Sequence, residues 1–123
     1  MTIQKRGLIS LNRAAFKMLG EPVAVELLWD SGRRIVGLRS SPMQSPDAYP
    51  ARPQSTKSDR GPVLIAGSLF TRYIGLDTSE AKRWVPYMEG DVLCLDLTVE
   101  GQPVSSNRSG TGETGGADRQ ADD

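Results

Sequence analysis

The chain contains no histidine. Without an imidazole, Ser-His and Cys-His nucleophile pairs and most catalytic zinc sites are excluded. Cysteine occurs once, at Cys94, which rules out an internal disulfide and fits a reducing compartment. Cys94 lies in an apolar run with no basic neighbour to lower its pKa, the setting of a structural thiol rather than a nucleophile. No hydrophobic run is long enough to span a membrane. The N-terminal stretch MTIQKRGLIS has no apolar core of the signal-peptide kind, so a cytoplasmic location is expected. A phosphate loop is missing too, because Ala66-Gly67-Ser68-Leu69 lacks the Gly-x-x-x-x-Gly-Lys framework. Asp91 and Asp96 are five residues apart along one expected strand and face opposite sides, so they do not make a catalytic pair. These absences predict no enzyme: no catalytic residue, no metal site and no cofactor.

An excess of charge is also lacking. Fifteen basic residues balance fifteen acidic ones. Residues 1–104 hold 13 basic and 11 acidic groups, and residues 105–123 hold two and four. Dedicated nucleic-acid binders usually show a clear basic surplus, so any DNA contact must come from a local patch. The hydrophobic share is 37%, and its deficit is local. Residues 40–61 and 100–123 carry almost no large apolar side chains and cannot offset the entropy of ordering. The first reads as a flexible linker, with a possible extended or polyproline segment at 48–53, and the second as a disordered tail. Roughly 75 residues are left for one core, near the lower limit for independent stability.

What is present is a pattern written twice. Residues 7–39 and 62–97 each read as a short apolar strand, a helix of about two turns and two strands around a turn. In the first unit Asn12 is placed to cap a helix over 13–19, Gly20 to stop it and Pro22 to block its continuation. Residues 24–29 and 33–39 then flank Asp30-Ser31-Gly32, a hairpin signal. In the second unit Ser68 is a candidate cap for a helix over 69–74 ending at Gly75. Residues 77–83 read either as a further short helix or as a lead into a strand. Pro86 confines 83–88 to a sheet edge or bulge, and Glu89-Gly90 turns the chain into a strand over 91–97. A shift of 55 overlays Lys17 on Arg72, Leu19-Gly20 on Ile74-Gly75 and Trp29 on Trp84, with the final strands matching at a slightly larger offset. On this reading the two tryptophans pack the interface between the units. Neither unit could bury its apolar face alone, so they are expected to share a core. The alternative is chance likeness between two generic segments.

The positions of Gly7, Ile9, Leu11, Leu19, Gly20, Val25, Leu27, Asp30, Ile35 and Leu38 carry a resemblance. Over some 33 residues the first unit resembles the swapped-hairpin AbrB/MazE/MraZ/SpoVT superfamily, and the second unit does so more weakly. The resemblance implies an α+β, mostly β fold. Two β-α-β-β units would interleave as a small swapped-hairpin barrel within one chain: unit one 1–39, linker 40–61 and unit two 62–99, followed by the tail 100–123. It also implies a small DNA-binding transcriptional regulator, since many members of the superfamily are. The chain departs from the pattern at Leu8 and Phe16, where basic residues are common, at Asn12, where the family has Pro, and at Glu21-Pro22 after the helix.

The expected DNA-contacting residues are Lys5, Arg6, Arg13 and Lys17 in unit one, with Arg72, Lys82 and Arg83 in unit two. A pseudo-twofold pairing of the units could set them along one face against duplex phosphates. Arg33 and Arg34 at the hairpin read instead as solubilising or paired with Asp30. The alternative function is a non-enzymatic protein-interaction module, an antitoxin or adaptor that keeps the fold without DNA contacts. The expected partners are thus double-stranded DNA or a protein, with no membrane, and the chain would be a monomeric pseudo-dimer or a higher homo-oligomer.

Overall fold

The structure is a computed structural model that describes residues 1–54 and 61–104. Part of the expected linker, 55–60, and most of the expected tail, 105–123, lie outside the described residues.

The chain is mostly β with two short helices, an α+β arrangement. In order it forms β1 (Thr2–Ile3), a 3-10 turn (Lys5–Gly7), β2 (Ile9–Leu11), α1 (Arg13–Met18), β3 (Ala24–Asp30), β4 (Ile35–Ser41), β5 (Tyr49–Pro50) and β6 (Arg52–Pro53). There follow β7 (Val63–Ile65), α2 (Ser68–Tyr73), β8 (Lys82–Arg83), β9 (Tyr87–Glu89), β10 (Val92–Asp96) and β11 (Gln102–Pro103). The described strands build two open antiparallel sheets rather than one closed barrel. The six-stranded sheet runs β11-β8-β1-β2-β7-β6 and the five-stranded sheet runs β5-β3-β4-β10-β9.

Both helices are too short to persist alone, so their ends matter. Asn12 Oδ1 accepts from Ala15 N at 2.9 Å and fixes the start of α1. The two helices stop in the same way. Gly20 N donates to Lys17 O and Glu21 N to Phe16 O; Gly75 N donates to Arg72 O and Leu76 N to Thr71 O. Gly20 and Gly75 take φ of 83° and 76°, the left-handed turn that glycine adopts without steric cost. Ser68, expected as a cap, is instead the first residue of α2, where its carbonyl accepts from Thr71 Oγ1. The ambiguous 77–83 segment forms no helix. Asp77 Oδ1 accepts from Ser79 N in a tight turn, and the chain enters β8.

Each sheet contains inner strands from both halves that pair with each other. In one, β2 pairs with β7, placing Ile9 opposite Ile65 and Leu11 opposite Val63. In the other, β4 pairs with β10, placing Leu38 opposite Leu93. Ile9, Leu11, Leu38, Ile65, Leu93 and Leu95 are all fully buried. Alternation explains why: on each central strand the apolar positions face a common interior. Removing each such side chain from water contributes about 1.5–3 kcal/mol.

Three expectations are corrected. Residues 40–54 are not a loose linker: β4 runs on to Ser41, β5 borders β3 and β6 borders β7. Residues 100–104 are not tail, because β11 pairs with β8. The tryptophans are not equivalent. Trp29 lies half-buried in β3 opposite Val36, under the Arg34 guanidinium at 5.6 Å. Trp84 is buried beside the other sheet, exchanging backbone bonds with Met1 and donating Nε1 to Val99 O at 2.9 Å. The shift of 55 fails here because the hairpins differ. The β3–β4 loop holds four residues and the β9–β10 loop two, so the partner of Leu38 is Leu27 and the partner of Leu93 is Met88. The final strands pair with each other, Leu38 opposite Leu93 and Val36 opposite Leu95. No helix among the described residues is long and apolar enough to cross a membrane.

Candidate nucleic-acid interface

Charge divides between the two sheets in a way that its total conceals. The strands of the six-stranded sheet, the 3-10 turn and both helices contain Lys5, Arg6, Arg13, Lys17, Arg52, Arg72, Lys82 and Arg83 and no aspartate or glutamate. The strands of the five-stranded sheet contain Glu26, Asp30, Glu89 and Asp96 against one base, Arg39. Both ion pairs found among the described residues belong to that second layer. Arg39 bonds Glu26, its cross-strand partner, at 2.7 Å. Arg33 bonds both oxygens of Glu89, at 3.2 and 3.0 Å, tying one hairpin tip to the other. Its backbone N–H meets Asp30 Oδ1 at 3.1 Å, so of the expected pairing with Asp30 the backbone contact is present while the guanidinium goes elsewhere.

The seven expected contact residues fall into distinct places. Lys5 and Arg6 are exposed in the 3-10 turn, with Arg6 in the left-handed region at φ 72°. The turn is held against α2, where the Thr71 hydroxyl is shared between Ser68 O at 3.0 Å and Gly7 O at 3.4 Å; Arg72 is the next residue along. A Cβ on Gly7 would fall on Thr71 Oγ1 and within 3.2 Å of Ser68 Cα, so only glycine permits this approach. Lys17 and Arg72 occupy the fifth position of α1 and α2 and are both exposed. Arg13 is partly spent on structure. Its Nε donates to Gly61 O at 2.8 Å and its guanidinium lies 5.5 Å from the Phe16 ring centre. Arg13 and Arg83 line one cleft. Lys82 is separated from Arg83, since neighbours on a strand point to opposite faces; its cross-strand partners are Ile3 and Pro103, and it is half-buried. The structure thus brings the Lys5–Arg6 turn to α2, sets Arg13 with Arg83, and turns Lys82 away.

Arg52 was missed, because its segment was read as linker. In β6 it is opposite Leu64, which is opposite Ser10, so it belongs to the same sheet face as Thr2 and Arg83. The sequence carries a signal for the layer as a whole, though not for Arg52 itself: residues 1–20 and 61–76 contain no acidic residue.

Other candidate chemistry is quiet. The Cys94 thiol is buried and its pKa is pushed up, first by burial and then by the nearby Glu89 carboxylate, which opposes thiolate formation. Asp96 is held below its ordinary value by hydrogen bonds from Thr98. Family models, curated proteins and solved structures give no match to this chain.

Proposed function

We propose that the chain is a small DNA-binding regulator in which two AbrB-like units interleave their strands within one polypeptide. The observation that carries this reading is the acid-free layer: eight cations on one sheet, its turn and its helices, with no carboxylate on those elements. The exposed members of this set, Lys5, Arg6, Lys17, Arg72 and Arg83, are bonded to no carboxylate among the described residues and are available to displace the counterions condensed on a duplex. The β2–β7 and β4–β10 pairings between the halves support a pseudo-twofold relation between the units, which would match two half-sites.

The test is a fluorescence-polarisation titration of mixed-sequence duplex DNA. Lys17→Glu combined with Arg72→Glu reverses two exposed charges at equivalent helix positions and is expected to abolish binding while leaving the unfolding transition in place. Undiminished affinity in the double variant overturns the site; no binding by the parent chain at low salt overturns the function.

One observation favours a protein-interaction module instead. Leu69 and Tyr73 lie four apart on α2, 74% and 81% exposed, and so form an apolar strip on one helix face. That reading predicts loss of partner capture on Leu69→Ser with Tyr73→Ser and no duplex affinity in any variant.

A further inference from the structure

A cleft opens on the outer face of the six-stranded sheet, with a volume of about 350 Å³ and a lining of mixed polar and apolar character. Register explains its lining. Ser10, Thr2 and Arg83 are successive cross-strand partners in β2, β1 and β8, so their side chains share one face. The next row, Ile9 and Ile3, faces the core and is fully or almost fully buried. Asn12 and Arg13 close the cleft from the start of α1, and no aspartate or glutamate lines it. The Met1 amine lies at the same edge, donating to Trp84 O at 3.0 Å. Met1 and Arg83 line the cleft together, and the pKa of the Met1 amine is lowered, first by burial and then by the Arg83 guanidinium.

Ser10 supplies the independent sign of a ligand. It is 8% exposed, it lines the cleft, and its hydroxyl has no hydrogen-bond partner among the described residues. Buried hydroxyls are ordinarily satisfied, and this one shares its cleft with Arg13 and Arg83. Arg13 uses only Nε on Gly61, which leaves its terminal nitrogens as donors. The donor set of the cleft is therefore a hydroxyl and two planar cations, with no carboxylate in its lining. Guanidinium groups match the oxygens of phosphate in two-point contact.

We infer that this cleft binds the phosphate group of a small phosphomonoester through Ser10, Arg13 and Arg83. The volume lies at the low end of small-molecule sites and leaves room for more than the phosphate itself. The same chemistry could be offered by a backbone phosphodiester of duplex DNA, and the test separates the two sources.

The full chain is titrated with inorganic phosphate, AMP and adenosine, followed by Trp fluorescence, since Trp84 adjoins Arg83. Phosphate and AMP are expected to bind saturably with AMP tighter, and adenosine not to bind. Arg83→Gln and Ser10→Ala are each expected to weaken AMP by roughly tenfold or more, the effect of losing one charge-assisted or buried contact. Both replace partly or wholly outward-facing groups, and their unfolding midpoints provide the check on folding. Lys17→Glu with Arg72→Glu must leave AMP affinity unchanged, so failure of the duplex reading is read separately. The inference is overturned if neither phosphate nor AMP saturates by about 10 mM, or if adenosine binds as well as AMP. It is also overturned if Arg83→Gln and Ser10→Ala weaken duplex affinity but not AMP, which would assign the cleft to backbone phosphodiester.

Discussion

Leu38 and Leu93 face each other where the two halves meet, and neither exposes any surface. Replacing either with alanine removes buried apolar atoms and leaves a cavity, at a cost of about 2–5 kcal/mol. A chain of this kind has a total stability of roughly 5–15 kcal/mol, so one substitution removes a large share of it. Because the two side chains share one site, the double variant should lose less than the sum, with a coupling of about 0.5–3 kcal/mol. The assay is urea unfolding followed separately by the two tryptophans, using Trp29→Phe and Trp84→Phe backgrounds. Trp29 reports the five-stranded sheet, and Trp84 reports the edge of the six-stranded one. With an m value of about 1–3 kcal/mol per molar, Leu93→Ala should lower the midpoint by roughly 1–3 M for both reporters together. Reporters that part, with Leu93→Ala moving one transition and sparing the other, would refute the shared core.

Three further outcomes are expected. Gly7→Ala should destabilise by about 2 kcal/mol or more by urea unfolding, because φ is 88° and a methyl would collide with Thr71 and the α2 backbone. Gly37→Ala should destabilise by about 1–3 kcal/mol, since its Cβ would come within 2.7 Å of Val92 Cγ1 between β4 and β10. Glu89 is held below the usual carboxylate range, first by its hydrogen bonds from Arg33 and then by that charge. A depressed folded pKa contributes stability that is present above the ordinary glutamate value of about 4.3 and lost as pH falls through the folded pKa. Unfolding midpoints measured across that acid window should fall less in Glu89→Gln than in the parent chain, and an unchanged profile would remove the pair from the explanation.

Much of the fold could be read from local chemistry. Asn12, Gly20 and Gly75 marked helix ends because a side-chain acceptor and a left-handed turn are what those ends require. Asp30-Ser31-Gly32 and Glu89-Gly90 marked hairpins for the same kind of reason. The short strands β5, β6 and β11 were illegible because their residues, Tyr49-Pro50, Arg52-Pro53 and Gln102-Pro103, are held by neighbouring strands rather than by their own propensity. The overlay of Trp29 on Trp84 misled because the hairpins differ in length, so an offset that holds for the helices does not carry through the hairpins. Net charge hid the acid-free layer, since a sum carries no information about which residues share a sheet. Lys82 and Arg83 are adjacent in sequence and read as one patch, yet the pleat of β8 sends them to opposite faces.

The most direct measurement is duplex affinity as a function of salt for the parent chain and for a chain with Arg33→Gln and Arg39→Gln on the opposite layer. Engagement of the exposed cations Lys5, Arg6, Lys17, Arg72 and Arg83 predicts log affinity falling linearly with log salt, with a slope between about −3 and −5. The slope should be unchanged in the Arg33 and Arg39 variant. A chain with no affinity at low salt, or one whose binding vanishes with Arg33 and Arg39 rather than with the acid-free layer, would contradict the assignment.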